Sequence, residues 1–84
     1  MTRIDKLYER TLASSGAGVA FRDLEQLLRA FGFEHLRTAG SHRHYKHPAV
    51  PYILTVQPRG KEAVSYQVKR LLAVIEEYDL HMES

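Results

Sequence analysis

The sequence predicts an α+β fold: a three-stranded antiparallel sheet covered on one face by helices, in the order α-α-β-β-β-α. Three observations lead there. Apolar residues recur at three- and four-residue spacing in three separate stretches, the signature of helices with one buried face. Between the second and third of these lie short extended stretches rich in β-branched and aromatic residues, punctuated by glycine and proline. The connections between them are too short for a crossover, so the strands form a meander and not a parallel sheet. With 84 residues, the expectation is a single domain over 1–84 with one core.

Ile4, Leu7, Tyr8 and Leu12 mark the first helix, from Thr2 to about Ser14, with Thr2 as N-cap and Asp5 three residues on. The run Ser14-Ser15-Gly16-Ala17-Gly18 breaks it. Phe21, Leu24, Leu27, Leu28 and Phe31 define a second helix over about Ala20 to Phe31, and Gly32 stands where a left-handed terminus favours a residue without Cβ. Phe33 to Thr38 reads as strand one, Ala39-Gly40 as a turn, and the histidine-rich stretch that follows as strand two. Pro48 and Pro51 make the next segment a loop, because proline donates no ladder hydrogen bond. Tyr52 to Gln57 reads as strand three, ended by Pro58-Arg59-Gly60. Val64, Val68, Leu71, Leu72 and Ile75 set a third helix over about Glu62 to Tyr78, with Asp79 to Ser84 expected to fray.

A formal charge of +2 is too small to imply a polyanionic partner, but its distribution is uneven. From His35 to Lys61 there is no Asp or Glu, while Arg37, Arg43, Lys46, Arg59, Lys61 and four of the five histidines lie there. Such a face attracts a phosphate backbone or an acidic protein. No apolar run reaches the ~18 residues of a membrane span, and charges stand where a signal peptide has its apolar region. The absence of cysteine fits a reducing compartment, so the expected location is cytoplasmic.

The chemistry concentrates in Gly40-Ser41-His42-Arg43-His44-Tyr45-Lys46-His47-Pro48. On a strand, side chains alternate, so His42, His44 and Lys46 share one face while Arg43 and Tyr45 point to the other. Tyr45 is the one large apolar residue available to the core, which leaves His42 on the open, solvated face. There His42 is a candidate acid–base residue for cleaving RNA, whose own 2′-hydroxyl is the nucleophile. Arg37, Arg43, Lys46 or Arg59 can supply a cation beside the phosphate, though alternation turns Arg43 away. The small Gly40-Ser41 turn lets a backbone approach, and Ser41 adds a hydroxyl. Two alternatives stand beside this one. His42, His44 and His47 can be read as metal ligands, but His47 breaks the alternation and neither a cysteine nor a nearby carboxylate completes the shell. The basic face can also belong to a non-catalytic RNA- or protein-binding module, with Tyr45 and Tyr52 as stacking platforms.

Gly40-Ser41-His42 followed by His44-Tyr45 resembles the signature of the HicA toxin family. Phe21-Arg22-Asp23-Leu24-Glu25, Leu27-Leu28, Gly32-Phe33, Val56-Gln57-Pro58-Arg59-Gly60-Lys61, Tyr66-Gln67-Val68 and Leu71-Leu72 follow the family pattern in order. The resemblance spans about Ala20 to Leu80, a core over 20–80 preceded by an extra helix over 1–15. It implies a double-stranded-RNA-binding-like sandwich and a metal-independent endoribonuclease acting on mRNA, with His42 as the catalytic residue. It implies no cofactor, and a HicB-like antitoxin as partner. Candidate RNA contacts are Ser41, His44, Lys46, Arg37, Arg59 and Lys61.

Overall fold

The computed structural model describes residues 2–82. Helix α1 (Arg3–Ala13) starts at the expected cap: the Asp5 N–H donates to Thr2 Oγ1 at 3.2 Å while the Thr2 N–H donates to Asp5 Oδ2 at 3.1 Å, a reciprocal capping box. Helix α2 (Phe21–Ala30) buries Leu24, Leu27 and Leu28 completely. It ends at Gly32, whose φ of +91° carries the chain back so that the Phe33 N–H donates to the Leu28 carbonyl at 2.9 Å. The loop between α1 and α2 comes down onto the last helix at Gly16, where a Cβ would sit 3.1 Å from Val68.

Strands β1 (Glu34–Ala39), β2 (His42–Lys46) and β3 (Leu54–Val56) form the antiparallel meander in sequence order. Strand β1 is an edge strand whose six residues are all exposed. Its register with β2 shifts between His35 and Arg37, which leaves Leu36 as an extra, unpaired residue, 42% exposed. Helix α3 (Ser65–Glu77) and α2 cover the face that carries Tyr45, Leu54 and Val56, and one cluster of buried side chains unites helices and sheet. Leu7 and the fully buried part of Thr11, whose hydroxyl donates to the Leu7 carbonyl at 2.8 Å, key α1 into the same core.

Three boundaries differ from expectation, each because a long-range contact outweighs local pattern. Strand three begins at Leu54, since Tyr52 leaves the ladder to pack edge-on against Tyr78, ring centroids 6.2 Å apart. The last helix begins at Ser65, three residues late. Glu62–Ala63 instead forms strand β5, paired with strand β4 (Pro58–Arg59) as a small second hairpin. The Ala63 N–H donates to the Val19 carbonyl at 2.8 Å and Ala20 bridges to Glu62, so this hairpin is stitched to the segment entering α2. At the other end Leu80 is buried and Met82 packs against the core, so the chain is anchored there where fraying was expected; residues 83–84 lie outside the described residues. Among the described residues, no helix is long and apolar enough to cross a membrane.

Candidate nucleic-acid interface

The two faces of the sheet divide the polar residues as alternation requires. Cross-strand pairs put Ala39 opposite His42, Arg37 opposite His44 and Glu34 opposite Lys46 on the outer face, and β3 adds Thr55 opposite His44. His42 is exposed at the start of β2, directly after the Gly40-Ser41 turn, and Ser41 is exposed beside it. His44 Nδ1 and Thr55 Oγ1 share a hydrogen bond of 2.8 Å, which fixes the imidazole across the strands. Arg37 and Lys46 are exposed on the same face, although Glu34 stands across from Lys46 at the end remote from His42. The sheet thus brings together His42, Ser41, His44, Arg37 and Lys46. Arg59 and Lys61 are exposed too, but they belong to the β4–β5 hairpin.

His47 stands apart. Its Nδ1 accepts the Ala49 N–H at 3.0 Å and its ring packs on Phe33, centroids 5.1 Å apart, so it organises the proline loop. Tyr45 is fully buried and Tyr52 is partly buried beneath Arg70, whose Cζ lies 5.5 Å from its ring centroid. Neither aromatic ring presents a stacking platform.

Sequence reading missed the group that supports the inner side of β2. Glu25 of α2, its side chain 11% exposed, accepts the Tyr45 hydroxyl on Oε2 at 2.6 Å and Arg43 Nη1 on Oε1 at 2.6 Å. Arg43 therefore turns inward, with its Cζ 5.0 Å from the Phe21 ring centroid, and is not a cation of the outer face. The signal was present: Glu25 stands four residues after Phe21 and three before Leu28, on the apolar stripe itself. A carboxylate there demands partners, because burying a charge without them is costly.

Burial works to raise the Glu25 carboxyl, but the hydrogen bonds from Tyr45 and Arg43, with the charges of Arg43 and Arg29, outweigh it and hold the group below its ordinary range. Burial, followed by the bond to Glu25 and its charge, pushes Tyr45 up to about 12. The signs give a two-sided pH profile. Glu25, depressed on folding, contributes stability above its unfolded value and loses it as pH falls through the folded one. Tyr45, raised on folding, contributes fully below its ordinary value of 10.0 and loses that contribution as pH climbs toward about 12. Urea melts of the parent and of Tyr45→Phe across this alkaline range check the second limb. The variant should lose the Tyr45 part of the decline, and identical slopes would show that the hydroxyl is not held by Glu25.

The family described as HicA toxin of bacterial toxin-antitoxin matches the chain over residues 21–76, from the first residue of α2 to the last turn of α3. No curated protein and no solved structure matched the chain significantly.

Proposed function

Because the chain belongs to the HicA toxin family of bacterial toxin–antitoxin systems, we propose that it is the toxin of such a pair and acts as a metal-independent endoribonuclease on mRNA. His42 is the residue we assign to proton transfer. The observation that carries this reading is the exposed imidazole of His42 at the end of an outer sheet face that also bears His44 and Arg37, on a chain of that family.

The chemistry needs little from the protein. The 2′-oxygen of the RNA attacks the adjacent phosphorus, the 5′-oxygen leaves, and a 2′,3′-cyclic phosphate remains. The 2′-hydroxyl must lose a proton and the leaving oxygen must gain one, and an imidazole, which can accept a proton at one ring nitrogen and donate one from the other, serves either transfer. Cations beside the phosphate stabilise the charge that develops on its non-bridging oxygens. Arg37 is the best placed of these, diagonal to His42 across the β1–β2 pair and without the opposing carboxylate that Lys46 meets in Glu34.

An antitoxin of the HicB type, presenting acidic groups to this face, would neutralise the toxin by covering His42. The alternative is a module that binds RNA or an acidic protein through the same face and cuts nothing. Gel analysis separates the two, since a binding module retards RNA without shortening it.

Charge removal on the face has a graded expected outcome. Arg37→Gln should weaken binding to single-stranded RNA and lower the salt slope by about 0.7, one phosphate contact. Lys46→Gln should do less, because Glu34 is its cross-strand partner and a carboxylate there disfavours a phosphate. Fluorescence anisotropy over a series of salt concentrations reads both. Affinities and slopes equal to the parent's would mean that the outer face does not meet the backbone.

A further inference from the structure

A second basic feature lies on the inner side of the same strand end. A cavity of about 630 Å³ opens between the start of α2 and the β4–β5 hairpin, lined by Phe21, Arg22, Arg43, Pro58, Gly60 and Lys61. Its size falls within the range of small-molecule sites. Three of its side chains are cationic, and among the described residues no acid lines it. Glu25 grips Arg43 from the core side, and the Glu62 backbone bridges to Ala20.

The walls are fixed before any ligand arrives. The Phe21 N–H donates to the Lys61 carbonyl at 2.9 Å, and the hairpin is tied to Val19 and Ala20 as described above. Arg43 is held between the Phe21 ring and Glu25. Its side chain is still 39% exposed, and only one nitrogen of its fork is engaged by the carboxylate. The cavity thus combines two exposed cations, Arg22 and Lys61, with one guanidinium held in place and an apolar wall at Pro58. That composition suits a phosphate together with an attached nucleoside: cations for the former, and a guanidinium face and proline for the latter.

We propose that this cavity is a subsite for one nucleotide of single-stranded RNA flanking the cleaved position. The inference rests on the ribonuclease reading above. Arg43 follows His42 directly in β2, and alternation sends their side chains to opposite sides of the strand. The nucleotide in the cavity is therefore a neighbour of the cleaved one and not that residue itself. To occupy both places the RNA must turn around the end of β2. An unpaired strand makes such a turn, whereas an A-form duplex does not, so the subsite selects unpaired RNA.

The test uses the full chain and a fluorescein-labelled 2′-fluoro single-stranded RNA, which lacks the nucleophile and stays intact. Anisotropy is measured for the parent, for Arg22→Gln/Lys61→Gln, and for Arg3→Gln/Lys6→Gln, which removes the same charge from the exposed face of α1. The cavity pair should lose about tenfold in affinity, with a salt slope smaller by about 1.4, and the α1 pair should follow the parent. A blunt duplex of the same sequence should compete poorly with the single strand. Equal losses in the two double variants, an unchanged affinity in the cavity pair, or full competition by duplex would each overturn the subsite. Cleavage by His42→Ala reports separately: if that variant still cuts while the cavity pair loses binding, RNA binding in the cavity stands, and the catalytic assignment falls together with the cavity's placement beside the cleaved nucleotide.

Discussion

Purified His42→Ala protein is expected to cleave RNA about 10²–10⁴-fold more slowly than the parent, the usual contribution of one positioned acid–base group. Its melting should stay within about 0.5 kcal/mol of the parent, because His42 is exposed at a strand end and supports no packing. In cells, expression of the variant should no longer arrest growth. The paired readout matters, since an unfolded protein also fails to cleave. A folded variant that cleaves at the parent's rate would remove His42 from the chemistry and leave the binding module as the reading. Activity of the parent that survives a strong chelator, tested alongside, separates proton transfer at His42 from a histidine-bound metal ion.

The largest expected effect on stability lies beneath the sheet. Glu25→Ala removes the acceptor of both the Tyr45 hydroxyl and the Arg43 guanidinium. The two losses are unequal. Arg43, with 39% of its side chain exposed, can recover water, while fully buried Tyr45 is left with an unsatisfied hydroxyl. The expected cost is about 2–3 kcal/mol, mostly from Tyr45. In a domain of this size it lowers the melting temperature by about 10–20 °C. A second substitution, Tyr45→Phe, made in the Glu25→Ala background should return part of the loss, since it deletes the stranded group. Additive losses in the double variant would show that the two residues are not coupled.

Much of this architecture could be read from the chain because it is set by local chemistry. Thr2 and Asp5 are three residues apart and cap α1 among themselves. The stripe of Leu24, Leu27 and Leu28 and the alternation through His42, His44 and Tyr45 each follow from the period of a single element. What escaped notice depends on partners distant in sequence. Glu25 meets Arg43 and Tyr45 eighteen and twenty residues away, and no local pattern in α2 names them as its partners. The β4–β5 hairpin escaped for a different reason. Two-residue strands carry no period, and Glu62–Ala63 is held extended by Val19 and Ala20 from the other side of the molecule. The shared face of His42, His44 and Lys46 follows from alternation along β2, whereas Arg37, beyond the bulge, and Glu34 beside Lys46 required the register.

The bulge at Leu36 has a bearing on self-association at the exposed edge of the sheet. An edge strand of six exposed residues offers a template on which other chains can add strands without limit. The extra residue spoils that template. It throws the edge out of step midway, and a straight incoming strand could satisfy the hydrogen bonds on one side of Leu36 but not continue past it. Arg37, next to the irregularity, adds charge repulsion between like copies. Deleting Leu36 would restore an uninterrupted ladder and with it a route to fibrous self-association.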